Sequence, residues 1–170
     1  MSIAVADTCF LVHWLRFRGR ERLFEVFDSV AVPMIVLDEM GVRGRVMLAP
    51  WLASRRAFLI PRINEYEVEA LRLVEFSRSQ RLPTLDPPEA YCLAAARRRG
   101  YVVLTDNKAP KHLVQALSEY SGVRVLDSLD VLALIYSGGL VEAVKAYEED
   151  TGLVFSRSRL RAYGIEHRGR

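Results

Sequence analysis

The chain has 170 residues, 51% of them hydrophobic and 26% charged, a globular balance that excludes wholesale disorder. No uncharged run approaches the ~20 apolar residues of a membrane span, and the length sets an expectation of one domain that buries roughly 70% of its unfolded surface. Lys and Arg number 24 against 21 Asp and Glu, a net charge of +3 that does not by itself identify a nucleic-acid partner.

Ser2 to Ala6 reads as a short buried strand ending at Asp7. Phe10, Leu11, Trp14, Leu15 and Phe17 then repeat at helical spacing over residues 9–17, and Leu23, Phe24, Val26 and Phe27 repeat it over 21–28. Val30-Ala31-Val32 is a second strand stopped by Pro33, followed by a helix from Met34 to Met40 that Gly41 closes. A short helix is expected over 46–53, and Ala57–Ile60 reads either as a strand or as an ordered connection. Glu65 to Arg78 is an amphipathic helix. Asp86-Pro87-Pro88-Glu89 has the signature of a helix start: a cap, prolines in the first turn, then a glutamate at the third helical position. That helix runs to Arg99 and stops at Gly100, and Tyr101–Leu104 is the next strand. Lys108–Tyr120 reads as a helix, Val123–Leu126 as a strand, and Asp127–Tyr136 and Leu140–Asp150 as helices. Ser156–Gly169 opens with a weak helix expected to fray.

Short apolar strands alternating with helices imply an α/β fold, a three-layer α/β/α sandwich with a central parallel sheet. The expected organisation is one domain over residues 1–155 and a basic C-terminal tail over 156–170, where five arginines face one glutamate. Only Lys108, Lys111 and Lys145 are lysines, so arginine carries most of the positive charge. Cys9 and Cys92 lie in apolar helical stretches and read as free thiols, and no basic-then-apolar leader opens the chain. Both point to a reducing, cytoplasmic setting. His13, His112 and His167 are scattered without a zinc spacing.

Ligands of an open parallel sheet bind beyond the carboxyl ends of its strands. Asp7 and Asp106 occupy two such ends, Glu39 follows the second strand on a helix, and Glu89 opens the helix that feeds the strand before Asp106. Each has a plainer role available: Glu89 in a capping box with Asp86, Glu39 as a solvated helix acid, and Asp7 and Asp106 as helix caps. Taken together, four carboxylates in one cleft repel one another, and a hard divalent cation such as Mg²⁺ or Mn²⁺ resolves the conflict. Metal-assisted phosphodiester hydrolysis is the reaction that suits such a cleft.

The joint pattern resembles the PIN-domain family. Val5-Ala6-Asp7-Thr8-Cys9-Phe10-Leu11 is similar to its opening motif, and Val32-Pro33 with Glu39 six residues after the proline to its second. Asp86-Pro87-Pro88-Glu89-Ala90 followed by Ala94-Ala95-Ala96, and then Leu104-Thr105-Asp106-Asn107, resemble the third and fourth. The resemblance spans most of residues 3–156 and is weak over 42–80. It implies a PIN-like nuclease domain, a Mg²⁺- or Mn²⁺-dependent ribonuclease such as the toxin of a toxin–antitoxin pair, with RNA as substrate, an antitoxin protein as a possible partner and a homodimer as the common assembly. By motif position Asp7, Glu39, Glu89 and Asp106 form the acidic site, with Asp7, Glu89 and Asp106 toward the metal and Thr8 orienting Asp7. Asn107 stands where many members carry a second aspartate, Cys9 where Ser or Asn is usual, and Asp127 is a further acid near the same end whose plainer role is a helix cap. The basic flanks expected to contact RNA phosphates are Arg43, Arg45, Lys108 and Lys111, which read equally as solvated charges. The alternative to a ribonuclease is a catalytically weak PIN-like module that holds RNA or a protein.

Overall fold

The structure, a computed structural model, describes residues 2–166. Five short strands, β1 (Ile3–Ala6), β2 (Ser29–Pro33), β3 (Ala57–Ile60), β4 (Val102–Leu104) and β5 (Val125–Leu126), pair in parallel in the order β3-β2-β1-β4-β5. The three central strands are almost wholly Ala and Val with a few larger aliphatics, as a strand covered on both faces requires. Val5 pairs with Ala31 on one side and Val103 on the other. β2 and β3 extend the sheet to one side of β1, and β4 and β5 extend it to the other. The crevice between the carboxyl ends of β1 and β4 is therefore the point where the winding reverses, and ligand sites form at such points.

Helices α1 (Thr8–Trp14), α2 (Met34–Glu39), α3 (Gly41–Ala53), α4 (Asn64–Ser79), α5 (Pro87–Arg99), α6 (Lys108–Ala116), α7 (Ser128–Ile135), α8 (Leu140–Thr151) and α9 (Arg157–Ala162) cover the sheet. α5 is buried continuously from Pro88 to Ala96, because the sheet packs on one side of it and α4 on the other. Asp86 caps it in the expected capping box with Glu89, and Gly100 ends it in the left-handed region at φ 71°. Trp14, buried with Phe10 and Phe17, stacks on Phe10 at 5.2 Å between ring centroids and meets Tyr147 of α8 at 5.5 Å.

Several segments differ from the sequence reading, among them Lys108–Tyr120, where the helix ends at Ala116 and Ser118–Tyr120 is a 3-10 turn. Residues 21–28 give only a 3-10 turn, Arg20–Glu25. The segment after α2 is helical from Gly41, five residues earlier than expected, because the glycine turns the chain at φ 67° and the next helix begins at once. The start of the tail does not fray: Ser156 caps α9, Leu160 is buried, and Arg159 pairs with Asp127 and Asp130. His167, Arg168, Gly169 and Arg170 lie outside the described residues.

The connection between β3 and α4 is tied to α5 by one phenol. The Tyr91 hydroxyl accepts from the Ile63 N–H at 3.0 Å and donates to the Pro61 carbonyl at 2.9 Å. Tyr91→Phe leaves both backbone groups unpaired, with an expected loss of about 1–2 kcal/mol in urea denaturation. An unchanged midpoint would show that water replaces the phenol without loss.

Candidate functional site

Three carboxylates from three elements lie around the β1–β4 crevice, near enough for the charges of Glu89 and Asp106 to act on Asp7. Asp7 ends β1 and is 1% exposed, Glu89 lies in the first turn of α5 and is 4% exposed, and the side chain of Asp106, just beyond β4, is 5% exposed. Each is fixed by donors from its surroundings. Asp7 Oδ1 accepts from the Phe10 N–H at 2.8 Å, which caps α1, and Oδ2 accepts from the Thr105 hydroxyl. Glu89 Oε2 accepts from the Asp86 N–H at 3.0 Å, and Oε1 accepts from the side-chain amide of Asn107. Asp106 Oδ1 accepts from the Ser128 N–H at 2.9 Å, and Oδ2 lies 3.0 Å from His13 Nδ1.

Among the described residues no lysine or arginine pairs with any of these three acids. Burial pushes the Asp7 carboxyl up to about 7, and the charges of Glu89 and Asp106 add to the rise against the hydrogen bonds from Thr105 and Phe10. Burial also raises Glu89, with Asp86 and Glu39 adding repulsion. The pocket therefore gathers carboxyl groups that no lysine or arginine among the described residues offsets, and burial and mutual repulsion favour protonation of Asp7 and Glu89 there. Its donors are carboxylate oxygens, the class that hard divalent cations take, so the residues present fit such an ion.

A family model described as a PIN domain matches residues 3–150. The chain belongs to the PIN-domain family. A comparison with curated proteins finds no match. The PIN domain is a nuclease-type fold, and its members are generally hydrolases that typically use divalent metal ions.

The other residues singled out from the sequence fall in different places around this PIN-domain crevice. Glu39 is exposed at the rim, near enough to add to the repulsion on Glu89. Thr8 does not orient Asp7. Its hydroxyl donates to Glu39 Oε2 at 2.8 Å, and Thr105 takes the Asp7 contact because it lies buried on the neighbouring strand end. Asn107 does touch the acids, as the donor to Glu89. Asp127 stays out of the cluster: it caps α7 and pairs with Lys111 at 2.8 Å and Arg159 at 2.6 Å. Lys111 also reaches Asp130 at 2.7 Å, so its charge is neutralised within the protein. Arg45 binds the Leu37 and Asp38 carbonyls at the end of α2, at 3.0 and 3.3 Å. Arg43 and Lys108 are exposed and form no ion pair among the described residues. A groove of about 420 Å³ runs from Asp106 and Asn107 past Lys108 and Lys111 to Phe155 and Arg159.

The sequence assigns no role to Thr105, sets His13 aside as lacking a zinc spacing, and gives Cys9 only as a free thiol where Ser or Asn is usual. Thr105 stood inside a quoted motif, and a hydroxyl beside two strand-end acids was the available signal. Cys9 and His13 are four residues apart on α1 and so share a helical face, but nothing in the sequence says that Asp106 faces them.

The raised Asp7 carboxyl has a consequence for stability. Its ordinary value of 3.8 holds in the unfolded chain, so between about pH 4 and pH 7 the folded state keeps a proton that the unfolded state has lost. Stability from this group is full below that window and falls as pH rises through it. In metal-free buffer at pH 8, Asp7→Asn is expected to stabilise the fold by at least about 1 kcal/mol, about 2–4 °C in melting temperature, and to flatten the pH 4–7 slope. Equal slopes for the two proteins would refute the burial argument.

Proposed function

We propose that this PIN domain is a Mg²⁺- or Mn²⁺-dependent endoribonuclease that hydrolyses phosphodiester bonds of single-stranded RNA at the β1–β4 crevice. The observation that supports the reading is the placement of Asp7, Glu89 and Asp106, all nearly buried, around one crevice with no lysine or arginine paired to them among the described residues. A purely structural pocket has no reason to collect buried charge of one sign.

In this reading Asp7, Asp106 and Glu89 hold the ion. When bound, it supplies a Lewis acid that acidifies water and offsets charge on the phosphate. Thr105, the Ser128 N–H and Asn107 keep the three carboxylates oriented, so little reorganisation is needed when substrate arrives. Glu39, held by Thr8 at the rim, positions the attacking water. Asn107 contributes an amide donor where an aspartate would add a further charge beside Glu89. That favours a fixed Glu89 over a larger anionic cluster.

RNA must approach an acidic centre, so its phosphates need positive charge beside it. Lys108 on the groove and Arg43 near α1 are the exposed candidates. Lys111 and Arg159 shape the groove wall with their charges already paired.

Incubating a mixed single-stranded RNA pool with the protein and Mg²⁺ or Mn²⁺ tests the reading. Cleavage is expected in wild type, to vanish with EDTA, and to fall on the order of 100-fold or more in Asp7→Asn. Lys108→Ala is expected to weaken RNA binding and reduce its salt dependence while leaving Mn²⁺ binding unchanged. RNA and Mn²⁺ binding without cleavage would replace the nuclease by an RNA-holding module.

A further inference from the structure

Beside the three-acid cluster lies a second set of metal-binding atoms with a different chemistry. Cys9 Sγ lies 4.0 Å from His13 Nδ1, which lies 3.0 Å from Asp106 Oδ2, and all three atoms fall within 4.8 Å of one another. Cys9 and His13 project from one face of α1 at a spacing of four, while Asp106 comes from the end of β4, so the site joins a helix to the sheet.

We propose that Cys9, His13 and Asp106 form a binding site for Zn²⁺, separate in donor chemistry from the all-carboxylate centre and sharing only Asp106 with it. The donor set argues for this ion class. Thiolate and imidazole favour Zn²⁺ and similar cations over Mg²⁺, which prefers oxygen alone. The geometry agrees. Four-coordinate zinc, with bonds of about 2.3 Å to sulfur and about 2.0 Å to nitrogen, places the two roughly 3.5 Å apart, so the present separation closes with a shift of about half an ångström. Three protein ligands leave the fourth position for water, the open pattern of an exchangeable site rather than the closed pattern of a structural one. Access is open as well: the His13 side chain is 22% exposed, and Asp106 lines the groove.

Two features make the site ready for a metal. Asp106 Oδ1 is anchored on the Ser128 N–H, which leaves Oδ2 directed at His13. With Asp106 accepting, His13 carries its proton on Nδ1. Binding moves that proton to Nε2 and releases the thiol proton of Cys9, since a coordinated thiol is deprotonated outright.

The consequence is competition. Zinc on Asp106 Oδ2 withdraws that carboxylate from the Asp7–Glu89 centre, so zinc occupancy acts as a brake on it. This consequence rests on the nuclease reading, whereas the binding site itself does not.

Cobalt(II) is the probe, because it takes zinc sites and reports thiolate ligation as an intense near-ultraviolet charge-transfer band. Full-length protein titrated with Co²⁺ in a phosphine reductant is expected to show that band together with four-coordinate visible bands, and Zn²⁺ is expected to bleach both. Cys9→Ser should lose the near-ultraviolet band, His13→Ala should weaken Co²⁺ binding at least about tenfold, and Asp7→Asn should retain the band. A wild type without the band, or a band that survives Cys9→Ser and so belongs to Cys92, would overturn the site. Circular dichroism confirms that each variant is folded, and His13→Ala, on a partly exposed side chain, tests the site independently of the thiol. In the RNA assay, Zn²⁺ should inhibit Mn²⁺-dependent cleavage by wild type and inhibit Cys9→Ser at least about tenfold less. Cobalt spectra as expected with no cleavage by any form would sink the nuclease reading and leave the zinc site standing.

Discussion

The Asp7 carboxyl accepts from the Phe10 N–H through one oxygen and from the Thr105 hydroxyl through the other, so one buried side chain ties the start of α1 to the end of β4. The direction of α1, and with it the placement of Cys9 and His13, follows from the first contact. The path of the chain through Thr105 to Asp106 and Asn107 follows from the second, because the Asn107 N–H donates to the same hydroxyl at 3.1 Å. Capping alone does not explain an acid here. Asparagine caps a helix about as well as aspartate, and it would bring no charge into a site that is 1% exposed. The fold accepts an unfavourable group where a neutral one would serve, a conflict between local stability and sequence of the kind that supports the proposed role of Asp7.

The sheet was legible because its strands are too apolar to be anything but buried, and α5 because its cap, prolines and terminal glycine all lie within one window. The fold class and the crevice at the carboxyl ends followed from that alternation. Gly41 reads as the stop of the preceding helix, so the next is expected only from 46, yet it starts at Gly41 and runs through Gly44 and Pro50. The placement of Asp7 and Asp106 just beyond strand ends was legible, and their hydrogen-bond partners were not. Sequence adjacency points to Thr8 as the partner of Asp7, and only the strand order, which brings Thr105 from 98 positions away to within hydrogen-bond reach, shows otherwise.

The same limit explains the basic residues. Lys111 is one helical turn into α6 and reads as a solvated charge, but it meets Asp127 and Asp130 of α7 and shares them with Arg159 of α9. Against its burial, hydrogen bonds from Lys111, Tyr163, the Asp127 N–H and Arg159 hold the Asp130 carboxyl well below its ordinary range. This network seats the start of the tail against α7 and forms one wall of the groove. Pairing these cations internally also keeps them from neutralising the acids one strand away, so the crevice remains anionic beside a locally basic segment.

Asp106 is where the two metal chemistries meet. One of its oxygens is anchored on a backbone N–H and the other faces an imidazole and a thiol, while its charge also reaches Asp7. A carboxylate accepts hard and borderline cations alike, so its neighbours set the preference. On the proposed readings it would be the third oxygen donor of a hard site toward Asp7 and Glu89, and toward Cys9 and His13 it would complete a softer one. Divalent first-row metals bind most nitrogen and sulfur sites in a fixed order of strength, with zinc well above manganese. Two adjacent sites that share a ligand therefore do not fill independently: the stronger binder on the softer side lowers occupancy on the harder side. Under both proposals, chemistry at the crevice depends on which metals are available, through Cys9 and His13, residues that an oxygen-only site would not need.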